Sequence, residues 1–135
     1  MNNSITISCE KSNLTHVRDF LTSNLSAHIC CEKEINLIIL AIDEVCANII
    51  IHEKNKAQTI EVSFQFHERR ILFSIIHHGN SFDYNKYQEP NLEQLIEQKS
   101  KGGIGLILVN RIMDTVKSIP STDHTEIILT KALAS

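Results

Sequence analysis

Residues 33–54 read KEINLIILAIDEVCANIIIHEK, and this stretch decides the fold. Its length favours a helix over a strand, and apolar side chains occur on nearly every side of that helix. A helix that is apolar all round lies in the interior of a domain, so the rest of the chain is expected to pack around it. The many β-branched residues oppose a helix on propensity alone, and burial has to offset that cost.

Strand patterns occur on both sides of this central helix. Apolar and polar residues alternate in residues 4–10, 59–66 and 71–77, and two last strands are predicted over about 115–119 and 124–130. The second and third segments are separated by a short turn, which predicts a hairpin with one buried face. The alternation therefore predicts a sheet that is covered on one side only.

Two further helices and one long loop complete the pattern. A single apolar stripe predicts a helix over residues 14–28, and residues 104–113 also have a helical pattern. Residues 79–103 are irregular apart from a short amphipathic piece, and a connection of that length is usually a functional loop or lid. The order β-α-α-β-β-loop-α-β-β predicts an α+β fold. We expect a two-layer sandwich whose sheet is mixed but mostly antiparallel, with the helices on one face.

The composition is that of one folded domain spanning residues 1–135. The chain is 42% hydrophobic and 21% charged, and its net charge is −3. A mildly acidic surface is a poor match for a nucleic-acid backbone, so no direct nucleic-acid partner is expected. No apolar run is long enough to predict a membrane span, and no signal peptide is recognisable at the start, so a cytoplasmic protein is expected.

Four cysteines occur without a CxxC pair or the spacing of a zinc site. They are expected to be reduced and mostly structural thiols. His77 and His78 are adjacent in a strand pattern, so their side chains are expected on opposite faces of the sheet, where they cannot readily bind one ion together.

The central helix carries a polar stripe. Glu44, Asn48 and His52 are four residues apart, so they lie on one face of an otherwise apolar helix. Buried polar groups need partners or a cavity, and an internal hydrogen-bond network or a solvent-facing edge would explain the stripe structurally. The alternative is phosphoryl transfer, in which a carboxylate deprotonates a hydroxyl and an amide oxygen coordinates Mg²⁺.

A glycine-rich segment precedes the helix over residues 104–113. It reads Lys101-Gly102-Gly103-Ile104-Gly105-Leu106. Glycines let backbone N–H groups approach an anion closely, and a helix N-terminus favours negative charge, so the segment is suited to phosphates. The P-loop and Rossmann patterns are both absent, and a flexible loop before a helix is the structural alternative.

A third segment lies at the end of a predicted strand. It reads His77-His78-Gly79-Asn80-Ser81-Phe82-Asp83. Gly79 permits a turn or a close backbone approach, and Phe82 can close the loop onto the core. A plain strand exit would explain the segment equally well in isolation.

Taken together, the three segments resemble the GHKL ATPases, and within them the RsbW-type anti-sigma-factor serine kinases. AIDEVCANIIIH (residues 41–52) is similar to the N-box of that superfamily, KGGIGLILVNRIMD (101–114) to its second glycine box, and HTEIILTK (124–131) to its closing strand. The resemblance covers nearly the whole chain and implies the Bergerat-type two-layer fold.

The resemblance also implies roles for individual residues. Glu44 stands in the place of the general base and Asn48 in that of the Mg²⁺ ligand. The positions that would contact the nucleotide are His52, His77, Gly79, Lys101, Gly102, Gly103, Gly105, Leu106 and Thr125, with Thr125 beside adenine. Residues 80–102 would form the lid.

One position differs from the family that this chain resembles. Its first glycine box has an aspartate that accepts a hydrogen bond from adenine, and here that position is His77. A neutral imidazole can accept one hydrogen bond, whereas an imidazolium cannot. Losing a charged acceptor would weaken binding about ten- to a hundredfold. Either ATP still binds, or the chain is a degenerate member that binds proteins without nucleotide.

The resemblance implies an ATP- and Mg²⁺-dependent serine kinase that is also an anti-sigma factor. Its partners would be a sigma factor and an anti-anti-sigma protein of STAS fold, and members of that family commonly form homodimers. The alternative from a different class is a non-catalytic protein-binding module of the same fold. A plain ATPase and the catalytic domain of a histidine kinase fit less well, because no second domain or phospho-acceptor helix pair is evident.

Overall fold

The computed structural model describes residues 3–78, 83–86, 88–89, 91–101 and 104–133, without the side chains of residues 95, 98–101 and 104. These residues form an α+β fold of two layers. Its elements are β1 (Ser4–Ser8), α1 (Leu14–Leu25), α2 (Glu32–His52), β2 (Thr59–His67), β3 (Arg70–His77), α3 (Leu92–Lys101), α4 (Ile104–Ile112), β4 (Thr115–Pro120) and β5 (Thr125–Ala132). The predicted order of elements is confirmed, and the amphipathic piece of the long loop is the helix α3.

The five strands form one sheet in the order β1-β2-β3-β5-β4. Each pairing among these described strands is antiparallel, so the mostly antiparallel sheet is confirmed and no parallel pair occurs among them. The β2–β3 hairpin closes through two residues, and Glu68 there has a φ of 58°. Two-residue hairpin turns require positive φ, because only such turns match the twist of the flanking strands.

One face of the sheet is covered by the helices. On β3 the side chains of Ile71, Phe73, Ile75 and His77 are buried, whereas the residues between them are partly exposed. This alternation is the one that the sequence predicted. His77 therefore belongs to the covered face and the exposed His78 does not, as expected.

Helix α2 is the central helix of the covering layer. Eight of its residues are buried, namely Ile35, Ile38, Ala41, Ile42, Val45, Cys46, Ile49 and Ile50. It packs against both α1 and α4. By length and composition alone α2 could cross a membrane, but these buried residues place it in the core of the domain. The burial explains why so many β-branched residues are tolerated in a helix.

A short turn over Tyr84–Lys86 is fastened to β4, the strand at the edge of the sheet. The side-chain amide of Asn85 brackets the backbone of Ser118: its Nδ2 donates to the carbonyl at 2.7 Å, and its Oδ1 accepts from the N–H at 3.0 Å. The Ser118 Oγ accepts the backbone N–H of Tyr84 at 3.0 Å. These three hydrogen bonds fix the backbone of Tyr84 while its ring is buried in the core.

Candidate functional site

The site is built where α2 meets the beginning of α4. A methyl group added at Gly105 would lie 2.0 Å from Oε2 of Glu44 and 2.8 Å from its Cδ. Only a residue without a Cβ permits so close an approach of the carboxylate to the helix backbone. The structure thus brings together two segments that the sequence singled out separately, the polar stripe of α2 and the glycine-rich segment.

Glu44 is partly buried, and its environment changes its acidity. Burial, which disfavours the charged form, raises the pKa of the Glu44 carboxyl, and the negative charge of Asp43 adds to this effect. Asp43 itself forms an ion pair with Arg18, whose Nε lies 2.8 Å from its Oδ1. A carboxylate with a raised pKa is a stronger base, which suits a group that accepts a proton near neutral pH.

Asn48 lies one turn further along the same face of α2 and contacts the hydroxyl of Tyr84. Burial is the main reason why the pKa of Tyr84 is raised; the contact with the Asn48 amide opposes it. The Nδ2 atom of Asn48 is buried and has no partner at standard hydrogen-bond geometry among the described residues. A buried amide of this kind is costly in a purely structural role, because its donors are not fully satisfied.

His77 and Thr125 are neighbours across the β3–β5 pairing. Residues directly opposite each other in a sheet project from the same face, so Thr125 shares the covered face with His77. The His77 side chain is only 1% exposed. Burial lowers the pKa of its imidazole, although a hydrogen bond with the backbone of His78 and the negative charge of Glu53 partly oppose this, so the ring is mostly neutral at pH 7.

The other predicted site residues differ in their exposure to solvent, and some lie outside the described residues. His52 is the last residue of α2 and is exposed, so it continues the stripe without being enclosed. Leu106 is partly buried and packs against the core. Lys101 ends α3, and its side chain is not described. Gly79, Gly102 and Gly103 lie outside the described residues, as do parts of the predicted lid.

A comparison with protein families matches residues 7–131 to the histidine kinase-like ATPase domain. The chain belongs to this family. Its fold is therefore the one that the sequence predicted, and the Glu44–Gly105 contact lies within the ATPase domain.

Known proteins similar to this histidine kinase-like ATPase domain carry a more specific name. The serine-protein kinase RsbW of Halalkalibacterium halodurans is 31% identical over 88 residues, covering 62% of this chain and 54% of the relative. That of Bacillus velezensis is 32% identical over 100 residues, covering 70% and 62%. The chain thus matches between about half and three fifths of the length of these curated relatives, and the resemblance to RsbW-type proteins is confirmed.

The fold has a counterpart among solved structures. A crystal structure of the RsbU and RsbW domains of a Mycobacterium tuberculosis protein aligns with 99% of this chain and 33% of its own, with a TM-score of 0.66. The sequence identity is 15%, so this likeness bears on the fold alone.

The described residues fit a nucleotide-borne Mg²⁺ better than a metal held by protein alone. Among the residues that the structure describes, no cluster of three or more His, Cys, Asp or Glu side chains can hold an ion. Mg²⁺ typically takes only one or two protein ligands and completes its shell with phosphates and water. Asn48 lies one helical turn beyond Glu44 on the same face of α2, and its amide oxygen is suited to be one such ligand.

Sequence reasoning missed Tyr84 and its attachment to β4. Tyr84 is one residue beyond the segment that ends at Asp83, in a region predicted to be irregular, and its burial gave no periodic signal. Asn85 and Ser118 are 33 residues apart, so their pairing was not visible locally. An aromatic residue in an otherwise polar stretch was the only available indication.

Replacing Gly105 by alanine tests the contact with Glu44. The added methyl group is expected to displace the carboxylate, and the fold should survive because that oxygen is the far end of a flexible side chain. Displacement into solvent should lower the pKa of Glu44 towards its ordinary value, since burial is what raises it. NMR titration of the Glu44 carboxyl carbon in both proteins measures this; an unchanged pKa in a folded Gly105→Ala protein would contradict the contact.

His77 should make stability depend on pH. Its pKa is lowered from 6.5 in the folded state, so below about pH 6.5 the unfolded chain binds a proton that the folded chain does not. The free energy of unfolding is therefore expected to fall as the pH decreases from 6.5 towards that lowered pKa. His77→Gln should remove this component, as measured by urea unfolding at several pH values.

The matched control is His78→Gln, because that neighbouring side chain is exposed. Glu44, with its raised pKa, acts in the opposite direction at lower pH, so the difference between wild type and His77→Gln isolates the histidine. If the free energy of unfolding of wild type and of His77→Gln changed with pH in the same way, His77 would not be a titrating buried group.

Proposed function

We propose that this chain is an ATP-dependent serine kinase that acts as an anti-sigma regulatory factor, with an anti-anti-sigma protein of STAS fold as its substrate. The observation that carries the proposal is the close approach of the Glu44 carboxylate to Gly105. Family membership supports the ATPase fold, and the relatives named serine-protein kinase RsbW support the choice of reaction. The protein would be cytoplasmic and would bind a sigma factor. It would form a homodimer.

The nucleotide would bind between α2 and α4. Backbone N–H groups of the glycine-rich segment and of the α4 N-terminus would hold the phosphates, with Lys101 contributing positive charge. The amide oxygen of Asn48 would hold Mg²⁺, which neutralises charge on the phosphates. His77 and Thr125, on the covered face of the sheet, would contact adenine.

Glu44 would accept the proton of the serine hydroxyl of the partner. Phosphoryl transfer depends mostly on positioning and electrostatics, so one correctly placed base is a sufficient chemical contribution from the protein. Burial raises the pKa of Glu44, which strengthens it as a base. Residues 80–102 would form a lid over the phosphates.

The substitution Glu44→Gln separates binding from chemistry. It keeps the shape of the side chain but removes the base, so the affinity for Mg–ATP should be retained. Phosphate transfer to a STAS-type substrate should fall by about a hundredfold or more. The measurement is transfer of labelled phosphate under single-turnover conditions, with ATP affinity determined by calorimetry.

Asp43→Asn is the matched control for Glu44→Gln. It removes the neighbouring carboxylate, which pairs with Arg18 rather than facing Gly105. Transfer should therefore persist, lowered only by the loss of the Asp43 charge that helps to raise the pKa of Glu44. Undiminished transfer by Glu44→Gln would exclude Glu44 as the base while leaving ATP binding open.

The second candidate function is a protein-binding module that no longer binds ATP normally. The observation that favours it is His77, a buried neutral imidazole at the position where the resembling family has an aspartate. Millimolar Mg–ATP that leaves the thermal stability of the wild type unchanged would favour this candidate, because a ligand specific to the folded state must raise stability.

Replacing His77 by aspartate tests whether the side chain at this position contacts adenine. A carboxylate is a stronger acceptor for the adenine amino group, so the affinity for Mg–ATP should rise about ten- to a hundredfold. Without nucleotide the variant should be less stable than the wild type, because the carboxylate is buried. Calorimetry and thermal unfolding measure both effects, and equal ATP affinities would exclude contact between this position and adenine.

A further inference from the structure

A cavity of about 470 Å³ lies where the α1–α2 connection meets the β2–β3 turn, and residues 28–31, residues 68–69 and Leu133 line it. Cys31 directly precedes α2, and Glu44 lies about 20 Å further along that helix. β3 begins beside the cavity and ends at His77. The cavity is therefore remote from the candidate nucleotide site.

The lining combines apolar groups with two charges of opposite sign. Ile29 is buried, and Leu133 is partly buried and packs against the core. Glu68 and Arg69 form the β2–β3 turn and are exposed, and within the part of the chain that the structure describes neither belongs to an ion pair. Two such charges on adjacent residues suit a ligand that carries both signs itself, such as the ammonium and carboxylate groups of an amino acid.

Two adjacent thiols line the same cavity. Cys30 and Cys31 are free and exposed, whereas Cys9 and Cys46 are buried. The adjacent thiols are poorly placed to bond each other, because consecutive Cα atoms are about 3.8 Å apart across a trans peptide bond and ordinary disulfides need at least about 4.4 Å. An exposed thiol can instead exchange with a disulfide from solution. The pair thus favours a mixed disulfide over an internal one.

We propose that this cavity is a thiol-modification site, at which Cys30 or Cys31 forms a mixed disulfide with cysteine or a similar amino-acid thiol. The protein thiol loses its proton to solvent, and its sulfur attacks one sulfur of cystine. An S–S bond to the protein forms, the S–S bond of cystine breaks, and the second cysteine leaves as a thiolate that takes up a proton. The protein sulfur is oxidised and the departing sulfur is reduced, so cystine is the only oxidant.

The charges of the turn give the site its selectivity. The carboxylate of the bound cysteine faces Arg69, and its ammonium group faces Glu68. A disulfide without ionic groups gains nothing from either residue. The inference does not depend on the proposed kinase activity, because no step involves Glu44, Asn48 or a nucleotide.

The first experiment incubates the nucleotide-free protein with cystine and measures its mass, followed by tryptic digestion without reductant. The digestion separates the cysteines, because residues 1–11, 19–33 and 34–54 are different peptides. We expect one added cysteine on the peptide 19–33, removed by dithiothreitol, with Cys9 and Cys46 unmodified. Loss of two hydrogens without an added cysteine would show a Cys30–Cys31 bond, and that result or the absence of modification on this peptide would overturn the inference.

The second experiment compares the rate of reaction with cystine and with 2-hydroxyethyl disulfide, which carries no charge. Arg69→Gln and Glu68→Gln should each lower the ratio of the first rate to the second about two- to fivefold, the effect of one exposed ion pair. The fold should survive in Arg69→Gln, because the bond that this residue makes to Leu133, at 2.7 Å, uses its backbone carbonyl.

Arg70→Gln is the matched control, because Arg70 is the next residue, is also exposed and does not line the cavity. It should leave the ratio of the two rates unchanged. Equal ratios in wild type, Arg69→Gln and Glu68→Gln would show that the thiols react only because they are exposed. That result would overturn the inference even if the kinase activity were confirmed.

Discussion

The contact of the Glu44 carboxylate with the first turn of α4 is the constraint on which the candidate site depends. A charged group on a buried helix is costly unless its surroundings satisfy it. At Gly105 the absence of a side chain lets the carboxylate lie against the helix backbone, where an added methyl group would be only 2.0 Å away. The same close approach brings the polar stripe of α2 to the helix end that favours phosphate.

The rest of the fold holds that contact in place. The apolar residues of α2 share one core with the buried face of the sheet, and the helix packs against α1 and α4, so its rotation about its axis is determined by the core. Once that rotation is set, Glu44 and Asn48 must face α4 and the Tyr84 turn. The sheet places His77 and Thr125 side by side at the end of the covered face. Packing of apolar residues thereby determines the positions of the polar ones.

Local pattern was sufficient to predict most of the fold. Alternation in the strands and apolar periodicity in the helices are caused by burial on one face, and both can be seen within a few residues of sequence. The polar stripe of α2 was found for the same reason, because polar residues four apart interrupt a regular apolar pattern. The burial of His77 followed from its place in the alternation of β3.

Contacts between distant segments could not be predicted in this way. The approach of Glu44 to Gly105 joins residues of two helices, and the resemblance to a family was needed to expect it. Tyr84 was missed because its position depends on Asn85 and Ser118, which pair across 33 residues. His52 ends α2 and is exposed, since helical spacing fixes the face of a residue and not its depth, and its contact with the nucleotide stays a prediction.

The most direct test of the account is paramagnetic NMR with Mn²⁺–ATP, in which the ion replaces Mg²⁺ and broadens the signals of nearby nuclei. The account predicts that Asn48, Glu44 and Gly105 lose intensity first, while Cys30 and Arg69, which line a pocket where the α1–α2 connection meets the β2–β3 turn, keep theirs. Selective broadening elsewhere, with the signals of Asn48 and Gly105 intact, would contradict a shared magnesium–triphosphate site.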